Sequence, residues 1–251
     1  MVHFVGAGSG AADLITVRGQ RLLSQADIII YAGSLVNPAL LEYAKTDCEI
    51  YNSASMTLEQ VIEVMERAEA AGKMTVRLHT GDPSLYGAHR EQMDWLDKKG
   101  ISYDVVPGVS SFCGAAAALK AEYTLPDVSQ TVIITRMAGR TPVPEKEEMS
   151  KLATHGATMV IFLSTGLLKE LREQLLQGGY QEDTPAAIVY KATWPDEKVI
   201  RGTVGNLPQL AAEHQITKTA LIVIGEFLGD DYQRSKLYDP TFTHEFREAE
   251  K

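Results

Sequence analysis

Residues 79–89, HTGDPSLYGAH, follow a strand-like run at 74–78 and have the composition of a binding loop. Asp82 stands at an N-cap position with Pro83 in the first helical place, which predicts a capped helix start. A phosphate cradle is disfavoured, because no Lys followed by Ser or Thr and no second glycine occur at P-loop spacing. The Asp82 carboxylate would also repel a phosphate, whereas it suits a cationic or hydroxyl-bearing ligand. The loop lies at the carboxyl end of a strand, where open α/β sheets bind their ligands.

Two other strand ends have similar chemistry. In VVPGVSSFCGAAAALKA the strand closes on Pro107-Gly108, and Ser110 and Ser111 lead into a helix of small residues at 110–120. In VGAGSGAADLIT, Gly6, Gly8 and Ala11 have the spacing of the dinucleotide fingerprint, and Asp27 follows at about twenty residues. A nicotinamide-dependent oxidoreductase is therefore the alternative from a different class. Two details oppose it: Asp27 precedes the strand IIIY instead of ending it, and Gly19 makes residues 14–24 poor helix, at about 1 kcal/mol. The plain reading of these glycines is a tight turn that lets backbone approach backbone or ligand closely.

The elements that must position these loops alternate along the chain. Strands are expected at 3–5, 27–31, 48–51, 74–78 and 103–106, with helical spacing between them. The clearest helix places Leu58, Val61, Ile62, Met65 and Ala68 on one stripe behind a Thr57…Gln60 capping box. Such alternation implies parallel strands joined by crossover helices. The polar stretch AEYTLPDVSQ marks a domain boundary near residue 125, giving α/β domains at 1–120 and 126–232 and a polar, frayed tail at 233–251. In the second half, strands at 131–135, 158–163 and 186–190 precede EKVIRGTV and TALIVIGEF. KATWPDEK is too short for a helical crossover, so an antiparallel hairpin and a mixed sheet are expected.

With 251 residues, 45% of them hydrophobic, the chain suffices for one large domain or two small ones. A net charge of −9 argues against nucleic acid as a partner. Cys48 and Cys113 lack metal-ligand spacing and read as buried thiols. No signal peptide is evident and no apolar run nears the roughly 18 residues of a membrane span, so a soluble cytoplasmic protein is expected. The six histidines form no H-E-x-x-H cluster, and Gly-x-Ser-x-Gly is absent. His79 and His89 read as packing or surface residues.

Taken together, GAGSGAADLITVRG, HTGDPSLYG and VVPGVSSF resemble the successive signatures of the tetrapyrrole methyltransferases, to about residue 230. LPDVSQTVIITRMAGRTPVPE and VYKATWPDEKVIRGTV resemble the branch that methylates carbon 11 of precorrin-4 or its cobalt complex. The resemblance implies two α/β domains, the first mainly parallel and the second mixed, with S-adenosyl-methionine folded in a cleft between them and no protein-bound metal. Cofactor contacts carried over by motif are Thr80, Gly81, Asp82, Leu85, Ser110, Ser111, Leu163 (where relatives often carry methionine), Ala192 and Ala220. It further implies a homodimer and a polycarboxylate tetrapyrrole as substrate. Substrate contacts are expected at Gly8, Ser9 and Tyr86. They are also expected at Arg136, Arg140 and Lys191, because guanidinium suits carboxylates. One departure stands out: the family's first motif usually reads G-x-G-P-G-D, and here Ser9 replaces the proline and Ala11 the acid. The turn thereby loses the fixed φ of proline.

Overall fold

The computed structural model describes residues 1–249. Its contacts divide the chain into two compact units, Met1–Gly114 with Ala192–Asp196, and Ala115–Lys191 with Glu197–Lys251.

The first unit is built on β1 (Val2–Gly6), α1 (Val17–Gln25), β2 (Ile28–Tyr31), β3 (Glu49–Asn52), α2 (Leu58–Ala70), β4 (Thr75–His79), α3 (Arg90–Lys99) and β5 (Tyr103–Val106). The strands form one parallel sheet in the order β3-β2-β4-β1-β5. β1 and β4 are buried along their whole length, as strands covered by helices on both faces must be. Val5, Ile29, Val76 and Leu78 pack with Leu22 and Leu23 of α1 on one side. Phe4, Ile28 and Ile30 pack with Val61, Ile62, Met65 and Leu96 of α2 and α3 on the other. The capping box of α2 forms as expected: the Thr57 N–H donates to Gln60 Oε1 (2.8 Å) and the Gln60 N–H to Thr57 Oγ1 (3.4 Å). Residues 17–25 are helical despite Gly19, which corrects the reading of that segment as poor helix. A Cβ on Gly19 would come 2.9 Å from Val5 Cγ1, so the glycine lets α1 lie close on β1. That packing offsets the propensity loss.

α4 (Ser111–Leu119) carries the chain from the first unit into the second. There follow β6 (Val132–Arg136), α5 (Met149–Ala153), β7 (Thr158–Phe162), α6 (Leu168–Gln177), β8 (Pro185–Tyr190), β9 (Lys198–Thr203), α7 (Leu207–Glu213) and β10 (Ala220–Ile224). The second sheet runs β6-β7-β10-β8-β9, with β6 parallel to β7 and every other pairing antiparallel. β8 and β9 are the expected hairpin, with Tyr190 opposite Lys198. Met159, Ile161, Ile188 and Ile222 form its core against Leu168, Leu171 and Leu175 of α6 and Leu207 of α7. The stretch 121–130 packs with this unit: the Thr158 hydroxyl donates to the Tyr123 carbonyl (2.9 Å), and the Tyr123 ring meets Phe227 edge-on.

Both cysteines are free thiols; Cys113 is exposed and Cys48 half-buried, so neither has the buried environment expected of it. No helix among the described residues is long and apolar enough to cross a membrane. Residues 250 and 251 of the expected tail lie outside the described residues, and in its described part Tyr238 and Phe246 are exposed.

Candidate functional site

In the first sheet the chain leaves β1 toward β2 and leaves β4 toward β5, in opposite directions across neighbouring strands. A crevice opens at such a switch point, outside the carboxyl ends of the strands. Gly8 and Gly81 face each other across it in an antiparallel bridge, the Gly81 N–H donating to the Gly8 carbonyl (3.1 Å) and the Gly8 N–H to the Gly81 carbonyl (3.3 Å). Both polar groups of Gly81 are thus engaged, and its φ of +61° is one glycine adopts without strain. The Gly108 turn after β5 wedges against the same point. A Cβ on Gly108 would lie 2.2 Å from the Gly81 carbonyl oxygen and 2.8 Å from Gly6 Cα. Three strand ends therefore meet where only glycines fit.

The loop after β4 is not a capped helix start. Pro83–Tyr86 form a turn, and the helix begins only at Arg90. The chain doubles back at Gly87, where a Cβ would lie 2.2 Å from the Pro83 carbonyl oxygen, and Tyr86 and Ala88 take φ of +56° and +46°. This return path is incompatible with a first helical turn. Asp82 still collects N–H groups, but across the loop: Oδ1 accepts from the Ser84 N–H (2.8 Å) and the Ser84 hydroxyl, and Oδ2 from the Gly108 N–H (2.8 Å). Partial burial disfavours its charge, yet the Ser84 and Gly108 hydrogen bonds outweigh that and hold the carboxyl below its usual range. Asp82 is therefore ionised and ties the loop after β4 to the loop after β5. Thr80 and Leu85 are half-buried beside it, and Tyr86 is exposed. Ser110 is buried with its carbonyl accepting from the Cys113 N–H (3.0 Å), and Ser111 opens α4, half-buried.

β4, which leads into this loop, buries two basic side chains, of which the sequence singled out only His79. Arg77 is buried with no acidic partner among the described residues; its Nε donates to Gln92 Oε1 (3.1 Å) and a terminal nitrogen to the Ile30 carbonyl (3.1 Å). Burial pushes its pKa down to about 10. His79 is also buried, its ring centroid 5.9 Å from that of Phe4 and 5.7 Å from that of His89, and its Nε2 has no hydrogen-bond partner among the described residues. Burial first, then the charges of Arg77 and His89, push its pKa down to about 3, against a weaker opposing hydrogen bond with the Gly87 backbone. His79 is a neutral packing residue, as expected, though one with an unpaired nitrogen.

The glycine loop after β1 is gripped from two sides. Asn37 Nδ2 donates to the Gly10 carbonyl (2.9 Å). Thr193 Oγ1 lies 3.1 Å from Ser9 Oγ and accepts the Ala11 N–H at 3.0 Å. A Cβ on Gly10 would fall 2.2 Å from the Trp194 ring. Asp27, the acid a dinucleotide site would require, precedes β2 at the far end of the sheet. There Lys45 Nζ (2.5 Å) and the Met74 N–H (2.7 Å) occupy its carboxylate. The fingerprint thus lacks its ribose ligand.

In the second unit, the ends of β7 and β8 and the start of β10 carry the expected residues. Leu163 follows β7 with φ of +53° and 68% exposure, an unusual state for an aliphatic side chain. Ala192 is buried and belongs by its contacts with the first unit. Ala220 is buried and its carbonyl accepts the Thr165 hydroxyl (3.2 Å). Lys191, with φ of +47°, places its ammonium 5.4 Å from the Tyr190 ring centroid, and its N–H donates to the Thr219 carbonyl (3.0 Å). The Arg136 guanidinium donates to the carbonyls of Met137, Thr141 and Pro142, shaping the loop on which Arg140 stands exposed. Thr193, Trp194 and Arg77 are positions that sequence reasoning did not single out. A bulky aromatic beside Thr in the seven-residue hairpin link 191–197 was the available signal.

A parallel sheet with glycine loops at its switch point, followed by a mixed sheet of this order, defines a two-sheet α/β protein with its candidate ligand loops at the carboxyl ends of the strands. The chain belongs to the Tetrapyrrole (Corrin/Porphyrin) Methylases, whose family model matches residues 1–208. It is 54% identical over 251 residues to the cobalt-precorrin-4 C(11)-methyltransferase of Methanocaldococcus jannaschii, covering all of this chain and 97% of that one. It is 45% identical to the precorrin-4 C(11)-methyltransferase of Pseudomonas aeruginosa, covering 99% of each. Among solved structures, a cobalt precorrin-4 methyltransferase described as a cobalamin biosynthetic enzyme matches with a TM-score of 0.90 and 47% identity, over 91% of this chain and 96% of that one.

Proposed function

We propose that this protein is an S-adenosyl-methionine-dependent C-methyltransferase acting at carbon 11 of cobalt-precorrin-4, or of its metal-free counterpart, in cobalamin biosynthesis. The observation that carries this reading is full-length correspondence, at 45–54% identity, with relatives of that named activity. We place the chain in a homodimer on the family resemblance, and the reaction in the cytoplasm, which is consistent with a biosynthetic enzyme.

The residues fit such a cofactor. An ionised Asp82 supplies negative charge near a sulfonium. Leu163 offers an uncovered apolar face to a nucleoside. Ser110, Ser111 and Thr80 add small polar groups, and Gly81, Leu85, Ala192 and Ala220 complete the assigned contacts. When bound, the cofactor supplies a methyl group on a neutral leaving group, to be displaced in line by an electron-rich ring carbon. The protein then needs to orient the two partners and replace water around the cation, which can supply several kcal/mol. On the substrate side we assign Gly8, Ser9 and Tyr86 to the ring, and Arg140 and Lys191 to its carboxylates. Arg136 acts there mainly by shaping the loop of Arg140.

Calorimetry tests the class directly. Micromolar binding of S-adenosyl-homocysteine with none of NAD is expected, and the reverse would refute the reading. In the same assay Asp82→Ala should weaken S-adenosyl-homocysteine roughly tenfold or more, since the bonds to Ser84 and Gly108 that shape the binding loop are lost. Unchanged affinity with a lowered Tm would reduce Asp82 to a structural tie.

A further inference from the structure

The glycine loop at residues 8–11 is held by a group that lies far from it in sequence. We propose that Thr193 is a positioning residue: its hydroxyl clamps residues 9–11 of that loop. The clamp has three parts. Thr193 Oγ1 accepts the Ala11 N–H (3.0 Å) and lies 3.1 Å from Ser9 Oγ, so one hydroxyl spans both ends of the segment. Thr193 itself takes φ of +69°, a conformation a β-branched residue adopts only when its surroundings demand it. Gly114 of α4 supplies the room: a Cβ there would come 2.9 Å from Ser9 Cβ and 3.2 Å from Thr193 Cγ2. The Trp194 ring then closes over Gly10, where no side chain would fit.

A proline restricts the turn by removing one dihedral freedom, before any contact is made. A serine leaves that freedom, and a hydrogen-bonded partner must restrict it afterwards. The Ala11 N–H is satisfied by Thr193, a group far away in sequence but within the same compact unit. The loop is thus held by residue 193 and not by its own sequence alone. This inference rests on the reading that residues 8–11 face the tetrapyrrole; the clamp itself can be judged without it.

The test uses the full chain and three variants. In Thr193→Val, which keeps the shape and loses the oxygen, hydrogen exchange at the Ala11 amide should accelerate about tenfold, while Thr193→Ser retains protection. KM for cobalt-precorrin-4 should rise about fivefold in the valine variant, with the Kd for S-adenosyl-homocysteine within about twofold of the parent. Adding Ser9→Pro to Thr193→Val should return KM toward the parent value, which loss of packing alone would not allow. Parental exchange and KM in Thr193→Val, or equal losses in the valine and serine variants, would overturn the clamp. Should the valine variant not fold, Thr193→Ala takes its place: faster exchange at the Ala11 amide supports the clamp and parental exchange overturns it. An Ala11 amide protected through Thr193 in a chain that methylates no tetrapyrrole would sustain the clamp and sink the proposed activity.

Discussion

Gly108→Ala is expected to lower the unfolding free energy by about 3 kcal/mol or more and to abolish measurable S-adenosyl-homocysteine binding. A methyl group is the smallest possible addition, but its Cβ would stand 2.2 Å from the Gly81 carbonyl oxygen and 2.8 Å from Gly6 Cα. All of these neighbours are backbone, so no side chain can swing aside. Relief requires parting β5 from the ends of β1 and β4. That movement also breaks the Gly108 N–H bond to Asp82 and disturbs the Gly8–Gly81 bridge. Urea unfolding and calorimetry on the variant measure the two effects. A stable Gly108→Ala protein that bound the nucleoside normally would mean that the three strand ends are not the tight junction described.

The second large effect is an acid instability centred on His79. Its folded pKa is pushed down to about 3 from an ordinary value of 6.5. Between those values the unfolded chain binds a proton that the folded chain refuses, so stability falls as pH drops below about 6.5. Lowering the pH from 7 to 5 should remove on the order of 2 kcal/mol through this group. Arg77 and His89 face the ring, and both would repel the incoming charge. In His79→Leu this component should vanish, because leucine leaves no nitrogen to titrate or to remain unpaired. Urea titrations at the two pH values decide the matter. Parallel losses in parent and variant would show that other groups carry the acid transition.

Much of the scaffold was legible because it depends on local pattern. The apolar runs that became β1, β2 and β4, and the stripe and capping box of α2, follow from residue types alone. The shortness of KATWPDEK foretold the β8–β9 hairpin, since no crossover helix fits in that length. The failures have a common physical form, in which a distant partner decides a local question. Gly19 should break a helix, but close contact with Val5 makes its missing side chain an advantage. Asp82-Pro83 has the chemistry of a helix start, but the return of the chain at Gly87 onto Pro83 and the reach of Asp82 to Gly108 convert it into a cross-loop tie. Ser9 seemed to loosen the glycine loop, and Thr193, 184 residues later, holds it. Each answer required knowing which residues meet in space.

The central claim is methyl transfer to one carbon of one macrocycle. Incubating the protein with cobalt-precorrin-4 and S-adenosyl-methionine labelled with carbon-13 in its methyl group, then locating the label by NMR, tests it most directly. The expected result is a single labelled methyl group attached to carbon 11. Label at another ring position or on a heteroatom, or no transfer to either the cobalt or the metal-free substrate, would contradict it.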